Sequence, residues 1–321
     1  MADSMNDTCP SSSRADRPAC VAVDWGTSRF RAHLVGEDGR LLDGVASDEG
    51  MGRVAPDGFE AVLTRMCAPW LAAHPGIPVL MAGMVGSRNG WREVPYVPCP
   101  AGPDEIAAAM MSFEIAGGTT VRIVPGLVVD GPEADVMRGE ETQILGCGLD
   151  DAVVVLPGTH SKWATVRDGR IESFRTFMTG EVFALFTRQS VLRLLREPPV
   201  DTPVERAAFR RGLAAASADG GLLNRAFHAR SAVLRGRMAP QEVDSYLSGL
   251  LIGAEVGAAK RLAPADLPIV LVADGVVAEE YREAIAAAGG DVTLVDPQRS
   301  FVDGLIRIAR LAGEVSLDRA R

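Results

Sequence analysis

Strand-like and helix-like segments alternate along this 321-residue chain, and that alternation implies an α/β protein. An internal repeat divides it. The stretch VAVDWGTSRFRAHLVGEDGRLL (21–42) and the stretch VVVLPGTHSKWATVRDGRIESF (153–174) share one layout: strand, Gly-Thr turn, second strand, then Asp-Gly-Arg and an apolar residue. Gly26-Thr27 matches Gly158-Thr159, and Asp38-Gly39-Arg40 matches Asp168-Gly169-Arg170. The length suits about two domains, each able to bury a core. The expected division is 1–18 as a disordered leader, 19–150 as an N-terminal domain with a long functional loop, and 151–321 as a C-terminal domain with a helical insertion.

In the first half, 19–23 reads as a buried strand and 29–36 as its hairpin partner, closed by the turn residues Gly36-Glu37-Asp38-Gly39. A third strand is expected at 40–46. From Asp57 to Ala73, Phe59, Val62, Leu63, Met66, Trp70 and Leu71 recur at helical spacing. Residues 77–83 form a short strand. The Gly-, Pro- and aromatic-rich segment 84–103 reads as a long functional loop. Residues 121–126 form another strand, and a helix is expected from about 138 to 145.

The second half opens with the strands VVVLPG, SKWATV and RIESFRTF; 180–263 reads as helices, and the tail as strand, helix, strand, helix. The last helix is expected to return onto the first domain. SGLLIGAEVGAAK (248–260) is too short and too charged for a membrane span, and its small residues suit close approach to the second sheet near a nucleotide.

Several function classes drop out on composition. A net charge of −9 argues against non-specific nucleic-acid binding. No apolar run reaches the roughly 18 residues of a membrane span, and the polar first 18 residues are no secretory signal. Five scattered cysteines with no C-x-x-C pair suggest neither a disulfide framework nor a zinc site. A cytoplasmic location is expected. There is no G-x-x-x-x-G-K-[ST] P-loop and no G-x-G-x-x-G after the first strand.

The two turns carry unusual chemistry for connectors. A two-residue hairpin favours Asn-Gly or Asp-Gly. Here one turn offers Gly, Thr, Ser and Arg, the other Gly, Thr, His, Ser and Lys. Backbone N–H groups, hydroxyls and cations are what a phosphate chain needs. Two such turns facing one cleft would grip a polyphosphate from both sides. Asp24 aligns with Leu156, so one half alone supplies a carboxylate, which suits Mg²⁺.

Paired hairpins of this kind resemble the actin-like ATPase and sugar-kinase superfamily. Within it, the chain resembles the 2-dehydro-3-deoxygalactonokinase family. The segments that carry the resemblance are DWGTSRFRAHLV, DEGMG, MAGMVGSRNGW, PYVPCPAG, DVMRGEETQILG, LPGTHSKW, FRTFMTGEVFALF and SGLLIGAEVG, in order over most of residues 20–257. The resemblance implies two ribonuclease-H-like domains around a nucleotide cleft. It also implies ATP and Mg²⁺ as cofactors, and phosphorylation of the primary 6-hydroxyl of 2-dehydro-3-deoxy-D-galactonate in galactonate catabolism. A homodimer is compatible with it. Two alternatives stay open: a polyphosphate or nucleotide hydrolase of the same superfamily, which acid-independent ATP turnover would favour, and an ATP-dependent actin-like or chaperone-like binding protein.

Roles follow from the resemblance. Gly26, Thr27 and Ser28 are expected at the γ-phosphate end, and Gly158, Thr159, His160 and Ser161 on the β side. Asp24 is expected on the metal and Lys162 on the transferring charge. A Ser161–His160 nucleophile is rejected, because no G-x-S-x-G elbow is present. Three acids compete for the general base in DVMRGEET. Related sugar kinases use an Asp at a helix start, which favours Asp135. The related polyphosphatases use a Glu in G-E-E-x, which favours Glu140, and Glu141 is the third. A helix start is expected to keep such a carboxylate ionised. Arg88 is the candidate for the substrate carboxylate, Trp91 and Tyr96 for the wall at the deoxy carbon, with Thr179 and Glu181 as further contacts. Met51, Met84 and Met178 read as packing residues. Asp274-Gly275, at the end of a strand, is placed near the nucleotide.

Overall fold

The computed structural model describes residues 17–197 and 203–313. Nearly all of the expected leader therefore lies outside the described residues. The first half runs β1 (Pro18–Trp25), β2 (Phe30–Gly36), β3 (Leu41–Ser47), α1 (Phe59–Met66), α2 (Ala68–Ala73), β4 (Val79–Ala82), β5 (Val97–Pro98), α3 (Pro103–Ala108), β6 (Met111–Ile115), β7 (Thr119–Ile123), β8 (Leu127–Val129), β9 (Asp135–Met137) and α4 (Glu140–Gly146). The second half runs β10 (Ala152–Leu156), β11 (Ser161–Arg167), β12 (Arg170–Phe177), α5 (Thr179–Arg188), α6 (Pro203–Ala216), α7 (Gly221–Leu234), α8 (Val243–Leu262), β13 (Ile269–Val272), α9 (Gly275–Ala287), β14 (Val292–Val295) and α10 (Pro297–Leu311).

The repeat is a repeat of topology. The sheet orders are β3-β2-β1-β4-β7-β6 and β12-β11-β10-β13-β14. In each, the opening strand pairs antiparallel with its hairpin partner and parallel with the strand that returns after a crossover: β1 with β2 and β4, β10 with β11 and β13. This is the two-lobed ribonuclease-H-like, actin-like ATPase architecture. The opening strands sit mid-sheet, covered on both faces, which is why VAV and AVVVL are continuously apolar.

One core joins the sheets. Ala22 and Leu80 of the first, Val154 and Leu156 of the second, and Phe301, Val302 and Leu305 of α10 belong to the same buried cluster. Helix α10 starts where Asp296 accepts a hydrogen bond from the Arg299 N–H at 2.6 Å, with Pro297 in its first turn. It lies along α4, tied by Gln143 Nε2 to the Pro297 carbonyl at 3.0 Å and by Arg307 Nη1 to the Leu145 carbonyl at 3.1 Å.

Three local expectations change. The single helix over 57–73 is two short helices, because Pro69 cannot continue α1 and instead sits in the first turn of α2. Residues 135–137 pair antiparallel with β8, so the helix expected from about 138 begins only at Glu140, after Gly139 at φ +110. The small residues of α8 divide by face. Ile252, Val256 and Ala259 join the cluster on the second sheet, whereas Gly249 meets α6, where an added Cβ would collide with the Phe209 carbonyl. No helix among the described residues is long and apolar enough to cross a membrane. Cys20 and Cys67 are free and buried, and burial pushes both thiols up to about 12, which leaves them protonated.

Candidate active site

The two Gly-Thr turns face one cleft of about 460 Å³, lined from the first half by Asp24, Gly26, Thr27, Gly83, Arg138, Gly139 and Glu140, and from the second by Gly158, Thr159, His160 and Asp274, among others. The first turn is closed by Gly26 N–H to the Arg29 carbonyl at 3.0 Å. It is pinned from outside by the Met51 and Gly52 N–H groups, each 2.9 Å from the carbonyls of Gly26 and Thr27. The second is pinned by the Glu181 N–H to the Thr159 carbonyl at 3.0 Å, while His160 Nε2 meets Glu181 Oε2 at 2.6 Å. Glu181 thus acts on the cleft through His160.

The floor is bare backbone. Gly83 has φ +99, and a Cβ there would stand 2.9 Å from the Trp25 carbonyl oxygen; one on Gly139 would stand 3.1 Å from the Gly83 Cα. On this floor the two halves exchange charge. Lys162 of β11, almost fully buried, reaches Glu140 Oε1 at 3.1 Å, and its ammonium also donates to the His160 carbonyl at 3.0 Å. Glu140 Oε2 accepts from the Arg138 N–H at 3.1 Å. Asp24 accepts from Arg31 Nη1 at 3.0 Å. Burial holds the Asp24 carboxyl above the usual range; Arg31 opposes this and the Glu140 charge adds to it.

These residues fit MgATP. No group of three or more metal-ligating side chains exists among the described residues, and Mg²⁺ held by phosphate oxygens and one or two carboxylates needs none. Asp24 supplies one carboxylate beside a side-chain-free floor.

Several expected site residues face elsewhere. Successive residues of a strand point to opposite sides. With Lys162 turned toward Glu140 of the first half, Ser161 and Trp163 point into the second lobe. Ser161 Oγ lies 2.9 Å from the Tyr281 hydroxyl, and Trp163 Nε1 and Tyr281 donate to buried Glu255 at 2.8 and 2.7 Å. Thr179 also donates to Glu255 rather than lining the cleft. Asp135 sits on strand β9, and its carboxylate accepts from the Thr176 N–H and hydroxyl, both at 2.7 Å. It clasps the two halves and is absent from the cleft lining. Glu141 is wholly buried, bonded to the Gly139 N–H at 2.7 Å and the Thr142 hydroxyl at 3.1 Å. Burial above all, with the charge of Glu140, pushes it up to about 8. A seven-residue helix cannot keep it ionised against that desolvation. Trp91 is drawn into an aromatic cluster, stacked on Phe59 at 6.2 Å and edge-on to Phe113 at 5.0 Å. Arg88 and Ser28 are exposed outside the lining. Asp274 lines the cleft, whereas Gly275 begins α9 just beyond it.

The chain matches the 2-keto-3-deoxy-galactonokinase family over residues 24–308. The chain belongs to that family. It is 37% identical over 297 residues to the probable 2-dehydro-3-deoxygalactonokinase DgoK1 of Rhizobium meliloti (strain 1021), covering 90% of this chain and 96% of the relative. It is 35% identical over 292 residues to the 2-dehydro-3-deoxygalactonokinase of Escherichia coli (strain K12), covering 90% and 97%. A crystal structure from Sinorhizobium meliloti, described as that of a putative 2-dehydro-3-deoxygalactonokinase protein, superposes with a TM-score of 0.82 at 35% identity, covering 91% of this chain and 98% of that one. As a member of this family, the chain is a sugar kinase that phosphorylates 2-dehydro-3-deoxygalactonate from ATP in galactonate catabolism.

Gly83, Arg138 and Gly139 line the cleft without having been singled out. Arg138 and Gly139 lie inside the quoted DVMRGEET, and Gly83 inside MAGMVGSRNGW. For Gly83 its place directly after the short apolar strand β4 was a signal; Arg138 and Gly139 carried none.

Proposed function

We propose that this kinase holds the phosphate chain of ATP between its two Gly-Thr turns and that Glu140 accepts the proton of the sugar acid's 6-hydroxyl. Bound Mg²⁺ would neutralise phosphate charge, with Asp24 as its protein ligand. Gly26 and Thr27 bind from the first lobe, Gly158 and Thr159 from the second. Lys162 holds Glu140 in place and sets a buried positive charge beside the group in transfer. Asp135 clasps the lobes and takes no part in proton transfer. The observation that carries this reading is the 3.1 Å contact of buried Lys162 with Glu140, which lines the cleft that both turns line. A general base must come within hydrogen-bond reach of its proton, and Glu140 alone of the three acids lines that cleft.

The test is a panel of 2-keto-3-deoxy acids with MgATP, scored for ADP release and for the phosphorylated position by NMR. Glu140→Gln and Asp135→Asn are measured beside the wild type. Turnover on the galactonate-derived acid, lost in Glu140→Gln and retained in Asp135→Asn, is expected. The reverse pattern would sink the assignment of the base.

A further inference from the structure

Arg138 is a buried cation with no anion beside it among the described residues. The residue is 7% exposed. Its Nη2 donates to the Val94 carbonyl at 2.7 Å, and its guanidinium carbon lies 4.3 Å over the Tyr96 ring. Nε and Nη1 are buried with no hydrogen-bond partner, and no carboxylate pairs with the residue among the described residues. Buried charges are ordinarily paired, because desolvating an unpaired one is strongly unfavourable. A ring face and one carbonyl do not replace an anion.

The place of this guanidinium names the anion. Arg138 lines the cleft two residues before Glu140, whose carboxylate touches the Arg138 backbone N–H at 3.1 Å. From there the Glu140 side chain turns to Lys162 and the second lobe, and the Arg138 side chain to Val94 and Tyr96 in the loop 84–103. A six-carbon sugar acid carries its primary hydroxyl and its carboxylate at opposite ends. With the hydroxyl at Glu140, a substrate extending away from Lys162 would bring its other end toward that loop.

We propose that Arg138, rather than the exposed Arg88, binds the carboxylate of the sugar acid and so selects an acid over a neutral sugar. This rests on the assignment of the hydroxyl end to Glu140. The partnerless N–H groups donate to the carboxylate, a match a guanidinium makes better than an ammonium. Tyr96 covers the guanidinium and is itself 40% exposed. The terminal phosphate of ATP is the other anion within the cleft, and the experiment separates the two.

The wild-type enzyme is assayed with the 2-keto-3-deoxy acid and with its primary amide, which keeps the shape and removes the charge. KM is measured for acid, amide and ATP, and repeated for Arg138→Met and Arg138→Lys. Loss of a charge-assisted contact predicts a kcat/KM for the acid about 10- to 100-fold above that for the amide in the wild type. Arg138→Met raises KM for the acid by about the same factor and leaves the amide and ATP within about twofold; Arg138→Lys recovers part of the loss. Three results overturn the proposal. One is a wild type that treats acid and amide alike, which needs no variant to fold. Another is an Arg138→Met enzyme that loses acid and amide equally, as a purely structural arginine would. The third is a rise in KM for ATP in place of the acid, which would assign Arg138 to phosphate. A wild type that turns over no 2-keto-3-deoxy acid would instead remove the functional reading beneath it.

Discussion

Glu141 makes the stability of this enzyme depend on pH in an unusual direction. Its carboxyl is pushed from 4.5 up to about 8 by burial and by Glu140, so the folded protein holds that proton more tightly than the unfolded chain does. Its stabilising contribution is complete below the unfolded value and is lost as pH rises through about 8. Between those limits one proton is released on unfolding, and the contribution falls by about 1.4 kcal/mol per pH unit. From about pH 5.5 to about pH 7.5 the loss is on the order of 2–3 kcal/mol. Glu141→Gln keeps the shape and an acceptor for the Gly139 N–H but does not titrate. Urea unfolding of wild type and variant across this range isolates the effect, since their difference removes the other titrating groups. The variant is expected to gain roughly 2–3 kcal/mol on the wild type as pH rises over this range. Parallel stability curves would show that Glu141 is already ionised in the folded protein and would refute the reasoning.

Three further perturbations follow from the site and its supports. Lys162→Met keeps an apolar stem in a fully packed position but strips Glu140 of its partner. Turnover should fall about 10²- to 10³-fold with the circular-dichroism spectrum unchanged, and a loss under tenfold would remove Lys162 from catalysis. Asp24→Asn still accepts from Arg31 but cannot carry charge to Mg²⁺. The Mg²⁺ concentration for half-maximal rate should rise by about tenfold or more, and an unchanged Mg²⁺ titration would mean that another group holds the ion. Gly304→Ala puts a Cβ into the Thr142 carbonyl, where backbone cannot yield. Thermal unfolding should report about 1–3 kcal/mol of destabilisation; an unaltered melting temperature would mean that α10 does not seat on α4 as described.

The repeat, the α/β alternation and the chemistry of the two turns were legible because each is local. In each half a Gly-Thr turn joins two apolar runs into an antiparallel hairpin, and the two hairpins carry the same topology into both halves. Facing is a different matter. The alternation of a strand could have separated Ser161 from Lys162 in advance, since neighbours cannot both point into one cleft. Nothing local showed which of the two does. Asp135 and Glu140 are five residues apart in one motif; pairing of 135–137 with β8 turns one to a clasp on Thr176 and leaves the other at the cleft.

The sequence by itself determined the two hairpins, the residue types their turns carry and the acid Asp24 that ends the first strand, because strand pattern and turn composition depend on neighbours along the chain. Only the tertiary structure decided which acid meets Lys162, that Trp91 packs against a core, and that Arg138 lies buried with no counter-charge among the described residues. Those outcomes depend on groups distant in sequence that desolvate one another, within the first lobe for Trp91 and Arg138 and between the two lobes for Glu140 and Lys162.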